Sequence, residues 1–275
     1  MSNAAFAEVE NRKQSIGSLQ QSFAENGYLI FRKVVPEERL TALAAGLREE
    51  FDRARGSSAL FNGGGLISGH VNSFPGEGAR FAYEALEQHG IVDVIRAIYP
   101  KPFARPYVGC NLNLPGSVAQ HYHMDGWFLG DFIIANVAVV DTDLVNGAID
   151  VLPGTHKSFY PYWRFVLERA HRLTTRVQMQ QGDVLIRTSR LWHRGMPNRA
   201  AVPRPMIGFT LGDPATTPAA DPFRVNDGKI VFQPNWFRTT ALGRLRERTF
   251  AAAPVTYSAY RFVRSLFGNK GYAAW

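Results

Sequence analysis

Apolar residues recur along this chain with two different periods, and the change from one to the other falls near Pro106. Before it the spacing is helical. Residues Ser15 to Asn26 predict a short helix stopped by Gly27, with a strand, Tyr28 to Phe31, behind it. Pro36 opens a second helix: Glu37 and Glu38 occupy the first turn, where the helix dipole favours acids, and Leu40, Leu43, Leu47 and Phe51 follow at helical spacing. A loop rich in glycine and serine, Gly56 to Gly69, precedes a third predicted helix near Gly78 to Tyr99. After Pro106 the segments become short and rich in branched residues. Val108–Leu114, Ala119–Asp125, Phe132–Val140, Ala148–Leu152, Val184–Thr188 and Pro205–Leu211 predict strands, separated by Gly, Pro, Asn and Asp. Helices followed by a run of short strands predict a mainly β jelly roll with helical additions. From Pro214 onward the pattern returns to loop and helix.

A chain of 275 residues that is 45% hydrophobic can bury one large core. We therefore expect a single domain over 1–275: helical support (1–104), strand core (105–213) and a C-terminal extension (214–275). Cys110 is the sole cysteine, so no disulfide forms within the chain and a Cys-rich metal site is excluded. That suits a reducing, cytoplasmic setting. The N-terminal stretch lacks the apolar core of a signal peptide, and the longest apolar run, Phe132 to Val140, is too short to span a bilayer.

Charge refines this picture. The net charge is +8, and residues 236–275 hold seven Lys/Arg against Glu247, or 7 − 1 = +6. The remaining 8 − 6 = +2 is spread over the preceding 235 residues. The basicity therefore belongs to the C-terminal extension, and such a patch attracts anionic surfaces. It carries no recognised nucleic-acid module, so no nucleic-acid partner is expected.

The candidate chemistry lies in Gln120-His-Tyr-His-Met-Asp-Gly126. On a strand, His121, His123 and Asp125 share a face. At about 3.3 Å per residue, His123 and Asp125 are roughly 7 Å apart at Cα, close enough to meet on one ion, whereas His121 and Asp125 are roughly 13 Å apart. The third ligand is expected from His193, just past the apolar strand Val184–Ile186. Two imidazoles and one carboxylate on one face leave open positions on an octahedral ion, as in non-haem iron oxygenases. A zinc hydrolase uses the same residue types, but no further acid motif offers its general base. Arg204, eleven residues after His193, can grip a carboxylate bidentately.

With these residues in view, the chain resembles the phytanoyl-CoA dioxygenase family. The matching stretches are Glu-Asn-Gly-Tyr-Leu-Ile-Phe-Arg (25–32), Tyr-His-Met-Asp-Gly (122–126), Asn-Gly-Ala-Ile-Asp-Val-Leu-Pro-Gly-Thr-His-Lys (146–157), Gln-Gly-Asp-Val-Leu-Ile (181–186) and Trp-His-Arg-Gly-Met-Pro-Asn (192–198), followed by Arg204. The resemblance implies a double-stranded β-helix and an iron(II)- and 2-oxoglutarate-dependent dioxygenase. Iron would sit on His123, Asp125 and His193, and Arg204 would take the distal carboxylate of 2-oxoglutarate. Asn113 and Gln120 are further candidate cosubstrate contacts. Halogenating relatives replace the metal carboxylate with a small residue; Asp125 is intact, so hydroxylation or another oxidation is expected. A catalytically silent jelly-roll binding protein is the alternative from another class. Gly147, Pro153, Gly154, Gly182 and Asp183 are expected in turns, His156 in a structural hydrogen bond, and His121 either at the mouth or exposed.

The substrate is not encoded in any motif; a small molecule or a lipid-type compound is expected. The aromatic segment Ser158 to Gln180 reads either as a lid over the mouth or as a surface helix stapled by its rings. Tyr260, Val263 and Phe267 recur at helical spacing beside Arg261, Arg264 and Lys270, which suits an anionic membrane surface or a helix folded back on the barrel.

Overall fold

The computed structural model describes residues 8–9, 15–55, 67–103, 105–212, 221–233 and 241–267. The loop 56–66 and Lys270 lie outside the described residues. Strand β1 (Glu8–Val9) pairs with β2 (Tyr28–Phe31). Between them runs α1 (Ile16–Asn26), whose N-cap Ser15 accepts from the Ser18 amide; at its C-cap, Gly27 donates its N–H to the Phe23 carbonyl. Helix α2 (Glu37–Arg55) buries Leu40, Leu43, Leu47 and Phe51, as the spacing predicts. The predicted third helix is instead two, α3 (Arg80–Gln88) and α4 (Ile91–Ile98). Gly90, at φ 71°, breaks them apart, a conformation that the surrounding L-residues adopt only with strain. Ahead of them stands an unpredicted strand, β3 (His70–Phe74).

The remaining elements are β4 (Tyr107–Asn113), β5 (Ile133–Ala138), β6 (Ile149–Leu152), α5 (Tyr162–Leu167), β7 (Thr175–Val177), β8 (Val184–Thr188), β9 (Trp192–Arg194), β10 (Arg204–Leu211), β11 (Val231–Gln233), α6 (Ala241–Ala252) and α7 (Pro254–Leu266). They form two sheets. The major sheet runs β1-β2-β8-β5-β10-β4-β3-β11 and the minor sheet β7-β6-β9. The predicted strand Ala119–Asp125 is not regular: its ladder to β9 is a single bridge, His123 opposite His193. Gln120 explains the interruption. Its amide donates to the Gly195 carbonyl while its side-chain Oε1 accepts from the Gly195 amide, so a side chain stands where a backbone partner would.

Alternation along the strands sorts the side chains into layers. Val184 and Ile186 of β8, Ala135 and Val137 of β5, and Ile207 and Phe209 of β10 point outward and bury α1 to α4 against the major sheet. Leu185, Ala138 and Met206 point inward, meeting Ile149 and Val151 of the minor sheet. The opposite face of the minor sheet presents Tyr122, Met124, Leu152 and Trp192 to α5. This is a jelly roll: two facing sheets, with helices covering the outside of each.

Candidate active site

The interior between the sheets is apolar at one end and polar at the other. His193, on β9, points inward between the outward-facing Trp192 and Arg194. Opposite it, His123 exchanges two backbone hydrogen bonds with His193, at 2.9 and 2.8 Å, which sets the two imidazoles side by side with ring centroids 4.3 Å apart. Two residues on, the Asp125 amide donates to the Ser189 carbonyl and turns the carboxylate toward both rings. The result is a cluster whose candidate ligand atoms all lie within 4.8 Å of one another: His123 Nε2 is 3.9 Å from Asp125 Oδ1, and His193 Nε2 is 3.6 Å from Oδ2. The structure thus brings together the three residues singled out from spacing.

Both rings are oriented from behind. His123 Nδ1 lies 2.8 Å from the His121 carbonyl, and His193 Nδ1 lies 2.9 Å from that of Leu191. A carbonyl only accepts, so each Nδ1 carries the proton and each Nε2 offers its lone pair to the cluster. Burial pushes the His123 imidazole down to about 4 and holds that of His193 well below the ordinary histidine value. Both are neutral ligands at pH 7. Burial alone would raise the Asp125 carboxyl, but the adjacent Arg187 guanidinium and the two imidazoles override it and hold the group well below the usual carboxylate range. Two neutral imidazoles and one carboxylate, with Arg187 on Oδ2 of that carboxylate and geometry for one ion, fit a divalent metal.

Arg204 begins β10 and faces the same interior. It is buried, its Nη2 donates to the Gly147 carbonyl at 3.3 Å, and its Nε has no hydrogen-bond partner. No acid pairs with it among the described residues, and burial lowers it to about 10. A buried guanidinium with unmet donors costs free energy unless an anion arrives, so the site has the chemistry to accept a carboxylate. Gly147 itself is fixed by its neighbours: at φ 91° its Cβ would fall 2.5 Å from both Asn113 Nδ2 and the Met196 carbonyl.

The other expected contacts are engaged elsewhere. Asn113, in register with Arg204, donates Nδ2 to the Met196 carbonyl and accepts from Ser117 Oγ. With Gln120, it grips the backbone that continues from His193 through Gly195 and Met196. His121 is buried, neither exposed nor among the convergent ligand atoms; it meets the Tyr257 ring of α7 edge-on at 4.6 Å. His156 sits beneath the end of α1, against Gly27 and Phe23, and serves the fold. Of the two readings of Ser158–Gln180, the stapled helix is the one found. Tyr162 and Phe165 stack on Trp192 at 6.0 and 5.3 Å, on the side of the minor sheet away from His193. Two residues escaped sequence reasoning: Arg187, which reaches Asp125, and Asn136, which holds Arg187.

A family model described as phytanoyl-CoA dioxygenase (PhyH) matches residues 23–206, well over half of the chain. The chain belongs to this family. The phytanoyl-CoA dioxygenase family member described here is a non-haem iron dioxygenase that uses iron(II), 2-oxoglutarate and oxygen. Solved structures share its fold. The non-haem alpha-ketoglutarate-dependent carbocyclase SnoK from nogalamycin biosynthesis is 17% identical, with a TM-score of 0.57 over 82% of this chain and 99% of that one. The epimerase SnoN, in complex with Fe3+, alpha-ketoglutarate and nogalamycin RO, is 17% identical with a TM-score of 0.55, covering 78% of this chain and 95% of that one. HygX from Streptomyces hygroscopicus, with nickel and 2-oxoglutarate bound, is 15% identical with a TM-score of 0.52, covering 75% of this chain and 89% of that one.

Proposed function

We propose that this enzyme hydroxylates an unactivated C–H bond of a small-molecule or lipid-type substrate. The carrying observation is the convergence of His123, Asp125 and His193 between the sheets, together with an inward-facing, buried Arg204 that has no acidic partner among the described residues. Iron with 2-oxoglutarate supplies the oxidising chemistry: one oxygen atom of O2 enters the substrate, the other enters succinate, and carbon dioxide leaves. The chain's own share is positional. His123, His193 and Asp125 would hold the metal, and Arg204 would receive the far carboxylate of the cosubstrate. Asn113 and Gln120 keep the His193 strand in place. The apolar layer of Leu185, Val151 and Met206 closes the cavity's other end against water.

Small-molecule substrates are supported by the fold neighbours, whose structures hold nogalamycin RO in SnoN and hygromycin B in HygX. The names epimerase and carbocyclase mark the competing reading, oxidation without oxygen insertion. Turnover under labelled oxygen separates the two. Hydroxylation places one labelled atom in the product and one in succinate; epimerisation or ring closure labels succinate alone. No succinate formation above that of His193→Ala, with any substrate tested, would support the silent-binding alternative.

A second reading concerns the surface that supplies the substrate. Helix α7 buries Tyr257, Arg261 and Ser265 but exposes Val255, Tyr260, Val263, Leu266 and Phe267, the last at 84%. Leu242 and Leu245 of α6 are exposed too, and Arg246 and Arg264 belong to the same pair of helices. An apolar face with flanking cations suits the headgroup layer of an anionic membrane, each cation adding about 1 kcal/mol. Among the described residues no helix is long and apolar enough to cross a membrane, so contact would be peripheral. Flotation with phosphatidylglycerol vesicles but not phosphatidylcholine vesicles, lost in Phe267→Glu, is expected. Equal flotation of wild type and variant would refute it.

A further inference from the structure

Strand β8 carries one charge, next to its last residue, and that charge is buried. Arg187 alternates with the inward-facing Leu185, so the two-sheet geometry directs its guanidinium into the cavity. Its Nη1 donates to Asp125 Oδ2 at 2.5 Å and its Nε donates to Asn136 Oδ1 at 3.0 Å, across the β5–β8 pairing. The Arg187 side chain is 7% exposed, and among the described residues Asp125 is its single acidic partner. A fixed guanidinium of this kind is costly to bury, and an apolar residue would pack β8 at least as well. Its geometry has a narrower use.

Resting on the reading of Asp125 as a metal ligand, we propose that Arg187, braced by Asn136, is a positioning residue that fixes the rotation of the Asp125 carboxylate. With Oδ2 engaged by Nη1, the carboxylate would offer the metal a single oxygen. A free carboxylate can swing to chelate through both oxygens, which would occupy a coordination position needed by cosubstrate or oxygen. The arrangement completes a pattern: all three ligands are then held from behind by protein atoms, the imidazoles by backbone carbonyls and the carboxylate by a cation.

The test is anaerobic cobalt(II) titration of the metal-free protein, followed through the visible absorption of the bound ion. Arg187→Met is expected to weaken cobalt binding about 10- to 100-fold and to change the band shape, and Arg187→Lys to restore part of the affinity. An Arg187→Met protein that is folded by circular dichroism and binds cobalt within twofold of wild type, with the same spectrum, overturns the proposal. Should that variant not fold, Asn136→Ala carries the test, since it removes the brace while keeping the charge. Weaker binding with an altered spectrum supports the proposal, and unchanged binding and spectrum overturn it. Asp125→Ala is the separate control: if it binds cobalt like wild type, the metal-site reading itself fails, whatever Arg187 does.

Discussion

The two faces of the minor sheet differ as much as any two regions of this protein, although they share a backbone. On the outer face, Trp192 is almost fully buried and stacks with Tyr162 and Phe165, and the Arg261 guanidinium lies 4.3 Å from the Tyr162 ring centroid. One residue along, His193 looks the other way, into the interior that Arg204 also faces, and among the described residues Arg204 has no acid to pair with. The outer face is packed by aromatic rings and a guanidinium of the protein itself. The inner face carries donors and acceptors that the protein itself does not satisfy. Adjacent residues can be assigned to stability and to chemistry because a strand sends alternate side chains to opposite sides, and the rigid aromatic slab keeps the imidazole behind it in position.

Disrupting the slab should have the largest effect. Trp192→Ala is expected to cost about 3–5 kcal/mol in denaturant unfolding, because the stacked rings cannot collapse into the space left. A loss below about 1 kcal/mol would remove the distinction between the faces. The inner face should respond in the opposite sense. Arg204→Met is expected to weaken 2-oxoglutarate binding by about 1.5–3 kcal/mol, roughly 10- to 100-fold, while leaving cobalt affinity within about twofold. Unfolding should show no destabilisation, since a buried, acid-free cation is removed. Equal cosubstrate affinity in the variant would place the anion elsewhere.

Acid should also act through the buried histidines, His123 in the cluster and His70 on β3. Burial lowers His70 to about 4, as it does His123. The unfolded chain therefore takes up protons first, near the ordinary histidine value. The stability due to these neutral rings is complete above about pH 6.5 and is lost as pH falls toward 4, by about 1–2 kcal/mol per ring between pH 7 and 5. Thermal unfolding of the metal-free protein should shift to lower temperature across that interval; a flat profile would contradict it. The smallest effect is expected at Tyr122, whose hydroxyl donates to Asp150 Oδ2. Tyr122→Phe should cost about 1 kcal/mol and leave cobalt binding unchanged.

The His123–Asp125–His193 cluster was legible in the sequence because a two-residue spacing puts His123 and Asp125 on one strand face and the family resemblance adds His193; Arg204 was nominated by its place at the start of a strand and by the same resemblance. Arg187 was not. Its role depends on β8 lying beside β5, a long-range pairing that no local pattern announces; the available signal was a lone charge following Val-Leu-Ile in a strand bound to be buried. The aromatic segment Ser158–Gln180 was legible as aromatic but not as to side, which is fixed by which face Trp192 takes. The break at Gly90 was missed because apolar spacing continues on both sides of it, and β3 because His-Val-Asn-Ser-Phe is too short to stand out from the loop before it.

Helix α7 was expected as part of a charged extension, and its contacts give it another standing. Tyr257 touches His121, two positions from His123, while Ser265 Oγ accepts from the Trp163 amide and Arg261 lies over three aromatic rings. The tail therefore acts as a keystone set late into the wall it completes. A shortened protein ending before residue 254 would uncover Tyr162 and the part of the Trp192 indole under Arg261, and the loosening would be felt one peptide bond away, at the imidazole on the other side.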